Sequence, residues 1–121
     1  MIKIALMKRT FEPGAVIIRE GDAGREAYLV REGFVEISKN DGEKPVLLAS
    51  RGPGSIIGEM ALIDDSPRSA AVTARGRVVV EVITRNDLKG MLEQAPEQLA
   101  LIIRQLLERL RDANELVAGA G

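Results

Sequence analysis

Glycine- and proline-bearing turn signals cut the first two-thirds of the chain at short intervals, and this punctuation limits the fold more than any other feature. EPG at 12–14, EGD at 20–22, EGF at 32–34, NDG at 40–42 and RGPG at 51–54 all favour tight turns. Between them lie runs rich in β-branched residues: AVIIR (15–19), AYLVR (27–31), VEISK (35–39), PVLLAS (45–50) and, further on, VVVEVIT (78–84). Runs this short meet a breaker before a multi-turn helix can form. VEISK also alternates apolar and polar residues, as a strand with one buried face does. Short strands at this spacing predict an all-β sandwich or barrel.

After Thr84 the texture changes. Asn86 reads as the N-cap of a short helix over DLKGMLEQ, and Pro96 as first-turn residue of a longer helix over 96–117. Leu99, Ile103, Leu106, Leu110, Ala113 and Val117 recur at alternating steps of four and three, which is a heptad seam. Ile102 and Leu107 widen it, so the helix can pack on more than one neighbour. The terminal AGAG is expected to fray. The 121 residues, 45% of them hydrophobic, suit one domain with one core: a β body over 8–84 and helices over 86–117.

Composition removes several functions. Seventeen basic against eighteen acidic residues leave a net charge of −1, which argues against broad electrostatic binding to nucleic acid or anionic membrane. No apolar run is long enough to span a bilayer, and MIKIALMKRTF has no signal-peptide pattern. A cytoplasmic location fits these features. With no cysteine there is no disulfide, thiol nucleophile or thiolate metal site, and with no histidine the commonest general base and metal ligand are missing. A binding module is therefore expected rather than an enzyme, with no catalytic residue, metal or cofactor.

One stretch, GEMALIDDSPRSAAVTA (58–74), carries chemistry. Gly58 lets a ligand approach the backbone closely. Glu59 to Ile63 form one short turn, whose first N–H groups lack intrahelical acceptors and favour an anion. Arg68 supplies a charge-assisted pair to the same anion, Ser69 a hydroxyl and Ala70 a further N–H. Glu59 would repel a bare phosphate but would accept from a hydroxyl beside it, and a phosphate next to a sugar hydroxyl is a nucleotide. Against this, Glu59 is readable as a first-turn acid that favours the helix dipole, Arg68 as an ion-pair partner of Asp64 or Asp65, and those acids as a solvated turn. Gly21 and Gly33 read as turn positions with unusual backbone angles.

GEMALIDDSPRSAAV resembles the phosphate-binding cassette of the cyclic nucleotide-binding domains, which occur in the bacterial catabolite activator protein, the regulatory subunits of cAMP-dependent protein kinase and cyclic-nucleotide-gated channels. REGDAGREAYLVREGFVEI (19–37) is similar to that family's glycine-marked strands, and the last helix to its C-terminal helix. The resemblance implies a jelly-roll-like antiparallel β-barrel with a short phosphate-binding helix between strands and two C-terminal helices. It implies that Glu59 binds the ribose 2′-hydroxyl. Arg68 binds the cyclic phosphate with Ser69 and the backbone of Gly58, Met60, Ala61 and Ala70. Ile37, Leu48 and Ile57 line the base and sugar pocket, and Leu106, Arg109, Leu110 and Asn114 close over the base as a lid. The chain departs from the family pattern at Ile57, where many members have an aromatic, at Ala71, where many have threonine, and in lacking any aromatic on the last helix.

The ligand so implied is cAMP. Threonine directly after the cassette arginine tends to accompany cGMP in this family, and Ser69 stands there. A cGMP sensor and a degenerate domain working only through protein contacts remain alternatives. A metal-dependent cupin would need a histidine cluster. A transcription factor like the catabolite activator would need a DNA-binding segment after the last helix, so these residues are not expected to bind DNA. The expected partners are the nucleotide, and either a second copy in a weak homodimer through helix 96–117 or an effector protein or domain.

Overall fold

The computed structural model describes residues 4–120, with side chains to Ala113. Strands β1 (Met7–Phe11), β2 (Val16–Ile18), β3 (Glu26–Asn40), β4 (Pro45–Arg51) and β5 (Ile56–Ile57) lead to a one-turn 3-10 helix, Glu59–Leu62. Strand β6 (Ala71–Thr84) and helices α1 (Arg85–Gln94) and α2 (Glu97–Ala120) follow. All pairings are antiparallel, the sheet path runs β1-β6-β3-β4, and β2 and β5 add to β6 and β3. The architecture is thus a mainly antiparallel, jelly-roll-like β body with two C-terminal helices, as expected, although the strand path does not close.

The central pair is longer than the turn signals suggest. AYLVR and VEISK are halves of the single strand β3, and VVVEVIT extends back to Ala71 in β6. The EGF segment is not a chain reversal. The β3–β6 register shifts on either side of Glu32, and Gly33 takes φ 83 within the strand. A Cβ there would sit 2.2 Å from the Arg77 carbonyl oxygen, so only glycine lets β3 pass its neighbour at this bulge. Gly21, with φ 87, has the unusual backbone angle expected of it.

Alternate positions of β3 and β6 build the core. Val30 pairs with Val80, Tyr28 with Val82, Val35 with Ala74 and Ile37 with Val72. Val30, Val35, Val78 and Val80 are fully buried, joined by Ile18, Tyr28 and Ile57. Each buried valine contributes about 1.5–3 kcal/mol relative to exposure.

The helix start is corrected by two residues. Thr84, not Asn86, is the N-cap, because its hydroxyl accepts from the Asp87 N–H while the Asp87 carboxylate accepts from the Thr84 N–H, a reciprocal capping box. Ala95 and Pro96 separate the helices. Among the described side chains of α2 only Ala100 is buried, while Leu99, Leu101, Ile102, Leu106 and Leu110 are exposed. Among the described residues, no helix is long and apolar enough to cross a membrane.

Candidate functional site

Strand β5 delivers the chain into Gly58, which has φ 71 and ψ 26 and caps the 3-10 turn without a side-chain bond. A Cβ at this position would meet Arg68 Nη1 at 2.6 Å and Ile18 Cδ1 at 3.0 Å, so both backbone angle and space require glycine. The Ala61 N–H closes the turn onto the Gly58 carbonyl at 3.1 Å. The N–H groups of Glu59 and Met60 precede any intrahelical acceptor.

Backbone bonds fix the root of Arg68. Its N–H donates to the Asp22 carbonyl at 2.9 Å, and its own carbonyl accepts from the Gly21 N–H at 2.8 Å. The side chain then runs between two glycines: a Cβ at Gly24 would lie 2.2 Å from Nε. Nη2 donates to the Glu26 carbonyl at 2.7 Å and Nη1 to the Gly58 carbonyl at 3.2 Å. Among the described residues, no carboxylate lies within ion-pair distance of Arg68. The expected pairing alternative fails for Asp65, which pairs with Arg85 at 2.9 Å instead. A part-buried guanidinium held by neutral carbonyls has no counter-charge beside it among the described residues, and an anion in the adjoining cavity would compensate it.

That cavity holds about 290 Å3, near the lower end for ligand pockets. Ile37, Ile57, Gly58, Glu59, Met60, Ala61, Arg68, Ser69 and Ala70 all line it, which brings together most of the positions singled out in the sequence. Ile18, Arg51, Ile56, Ser66, Pro67 and Val72 complete the wall and were not foreseen. Arg51 adds a second guanidinium, bonded to the Ser50 carbonyl at 3.0 Å. Glu59 is exposed, and among the described residues it makes no ion pair.

Leu48 lies outside the cavity. Ile37 pairs with Ala49 and Ser38 with Leu47, so Leu48 is the extra residue of a bulge, and it is 57% exposed. Among the described lid residues, Leu106, Arg109 and Leu110 do not line the cavity either. Leu106 is 56% and Leu110 44% exposed, Arg109 is also exposed, and the Asn114 side chain lies outside the described residues. The described lid side chains, as placed, do not close the site.

A larger hollow of about 630 Å3 shares Ile18 and Arg68 with this cavity and is walled by Arg19, Arg25, Tyr28 and Arg85 among others. It includes none of residues 57–61, Ser69 or Ala70, so the site belongs to the smaller cavity. In the wall of this hollow Tyr28 is buried and donates to Glu26 Oε1 at 2.8 Å, and Arg9 Nη1 donates to the same oxygen at 3.1 Å. The Phe11 ring meets Tyr28 edge-on at 6.5 Å. Burial, and then the bond to Glu26, raises the pKa of the Tyr28 phenol above its ordinary value. This cluster anchors the start of β3, whose Glu26 carbonyl holds Arg68.

Arg85 was not singled out by its sequence context, yet it reaches the cassette from the first position of α1. Its Nε donates to the Ala61 carbonyl at 2.8 Å, and its Nη2 to the Asp64 carbonyl at 2.5 Å and Asp65 Oδ1 at 2.9 Å. Among the described residues, no cluster of three or more acidic side chains is arranged to hold a metal ion.

Known proteins share this arrangement. A 39% identical segment of 88 residues, 73% of this chain and 23% of the relative, occurs in the cAMP-dependent protein kinase regulatory subunit of Yarrowia lipolytica. A 38% identical segment of 105 residues, 87% of this chain and 28% of the relative, occurs in a cyclic nucleotide-gated potassium channel of Mesorhizobium japonicum. The chain therefore spans about a quarter of the length of these curated relatives. Among solved structures, the half-site-occupied form of the EAL enzyme Bd1971 superposes with a TM-score of 0.87 at 35% identity, over 91% of this chain and 99% of that one. The same enzyme has cAMP-bound and cGMP-bound forms, with TM-scores of 0.68 and 0.70 at 35% and 33% identity, each covering 93% of this chain and 30% of that one. The profile of the cyclic nucleotide-binding domain matches residues 8–95, a span that contains the glycine-capped turn, Arg68 and the strands that hold them, and the chain belongs to that family.

Proposed function

We propose that this chain is a regulatory sensor of cAMP, with cGMP as the weaker ligand, and that binding repositions its C-terminal helices. The observation that carries the reading is Arg68: a part-buried guanidinium with no carboxylate within ion-pair distance among the described residues, facing a cavity that also presents Glu59 and the start of the 3-10 turn. The cyclic phosphate occupies the Arg68 side with Ser69 and the backbone of Gly58, Met60, Ala61 and Ala70. The ribose 2′-hydroxyl donates to Glu59, and Ile37 and Ile57 support the sugar and base. Ser69 favours cAMP because it stands where threonine accompanies cGMP in the family. Closure by Leu106, Arg109, Leu110 and Asn114 requires α2 to move, since the described lid side chains lie away from the cavity.

The output belongs to another segment or another chain, because these residues span only about a quarter of the curated relatives' length. The exposed α2 seam supports a weak homodimer or an effector contact. DNA recognition is not assigned to these residues, and a cytoplasmic setting is part of the same reading. Titration calorimetry with cAMP and cGMP tests it. Tighter binding of cAMP is expected, a clear preference for cGMP would reverse the ligand assignment, and no heat with either would leave a protein-interaction domain.

A further inference from the structure

Arg85 joins two parts of the molecule that are far apart in sequence. Its root is rigid, because Thr84 and Asp87 close the capping box around it at 3.0 and 2.9 Å. Its guanidinium grips the end of the cassette turn, accepting groups being the carbonyls of Ala61 and Asp64 and the carboxylate of Asp65. The last carbonyls of a short helical turn lack intrahelical donors, so a planar fork of N–H groups fits them well. Ala61 is buried and lines the cavity beside Arg68. The residue that Arg85 holds is therefore one that an occupant of that cavity would touch.

We propose that Arg85 is the positioning residue that transmits occupation of the Arg68 cavity to α1; this rests on the nucleotide reading above. A ligand that draws in the Glu59–Leu62 turn moves the Ala61 and Asp64 carbonyls, and Arg85 follows with the start of α1. The two carbonyls carry the grip. The ion pair adds little, because the Asp65 side chain is 75% exposed and its charge is screened. Lysine at position 85 has three donors on one nitrogen and would hold one carbonyl rather than two. Alanine would hold none. Ligand binding shifts α1 only if the liganded cassette favours one helix position over another, and Arg85 supplies that difference.

The test uses the whole chain as wild type, Arg85→Ala, Arg85→Lys and Asp65→Ala. Amide hydrogen exchange is followed in 58–70 and 85–94 with and without saturating cAMP, beside calorimetry. Without ligand, Arg85→Ala should speed exchange in 61–65 and at the start of α1 together. In wild type, saturating cAMP should change exchange in 85–94 by at least about fivefold, and in Arg85→Ala by less than about twofold, while protection of 58–70 persists in both. Asp65→Ala should keep the wild-type response, and Arg85→Lys should give an intermediate one. If Arg85→Ala is unfolded, the lysine variant decides. An undiminished response of 85–94 in a folded variant that has lost the Arg85 grip would overturn the relay while leaving nucleotide binding intact. Wild type that takes up neither cAMP nor cGMP would overturn the nucleotide reading, and the relay with it.

Discussion

Removing the Arg68 side chain separates its two roles. In the structure it donates one N–H to the Glu26 carbonyl at 2.7 Å and one to the Gly58 carbonyl at 3.2 Å, the second at the long end for a hydrogen bond. A guanidinium has five N–H donors, so three remain for an anion without breaking either bond. Arg68→Ala deletes both sets. Hydrogen bonds to a charged group contribute about 1.5–3 kcal/mol in place, but the two carbonyls are near enough to solvent for water to replace part of the loss, so unfolding free energy should fall by about 1–2 kcal/mol. Losing the pair to the cyclic phosphate should weaken cAMP binding by about ten- to a hundredfold. Gly24→Ala provides an independent perturbation. Its Cβ would lie 2.2 Å from Nε and 2.5 Å from Nη2, and the atoms in the way are the far end of a flexible side chain. Gly24 does not have a positive φ, so the backbone accepts alanine, and the variant should lose affinity with little loss of stability. Calorimetry with cAMP and urea unfolding of the ligand-free proteins measure both quantities. A folded Arg68→Ala protein that binds cAMP within about threefold of wild type would refute the placement of the anion.

Three further outcomes follow from the geometry. Gly33→Ala should destabilise by more than about 2 kcal/mol, because it combines a positive φ with a collision against the Arg77 backbone that cannot move aside as a side chain can; urea unfolding measures it. The Tyr28 phenol has its pKa raised by burial and by its bond to Glu26, so its contribution to stability is full below the unfolded value of about 10 and is lost as pH rises through the folded value. Unfolding free energy of wild type should therefore drop across that alkaline window, and Tyr28→Phe should remove that part of the slope. Leu106→Asp should abolish any homodimer seen by sedimentation of wild type, since a buried seam leucine contributes about 1.5–3 kcal/mol per copy, and a variant that still dimerises would move the contact off this seam.

What the sequence made legible was local. The cassette is one contiguous stretch, and its glycine, turn and arginine lie within eleven residues of each other, so the chemistry of those residues and the family resemblance together placed nearly all of its members on one cavity. The β-rich body was likewise legible in the turn signals, and the pair of helices in the change of texture after Thr84. Pairing register was not. EGF looks like a reversal, and only the approach of Gly33 to the Arg77 carbonyl makes it a bulge inside β3. Leu48 sits at an apolar position of a plausible strand, but one extra residue between Ala49 and Leu47 takes it off the wall. The N-cap error had a usable signal, since Thr84 with Asp87 three residues on is a capping-box spacing, which Asn86 lacks with Lys89. Arg85 had none, because its acceptors, two backbone oxygens and the Asp65 carboxylate, lie 20 to 24 residues away.

The same distinction explains why the ligand site is easier to read than its output. A phosphate site can be assembled from neighbouring amides and one cation, whereas a response needs a second position for an element that the body does not hold tightly. The described part of α2 has that character. Leu99, Leu106 and Leu110 follow the seam, Ile102 widens it on one flank, Leu101 projects from the opposite side, and all five are exposed. A helix apolar on more than one side has more surface to bury than one neighbour can cover. Leu106 and Leu110 serve both the seam and the proposed lid, but with the seam on a second copy the flank that carries Ile102 and Arg109 can meet the base, so closing over the ligand need not compete with pairing. On this argument, nucleotide should tighten a dimer rather than dissolve it, and loss of the dimer on saturation with cAMP would show that the two contacts use the same face.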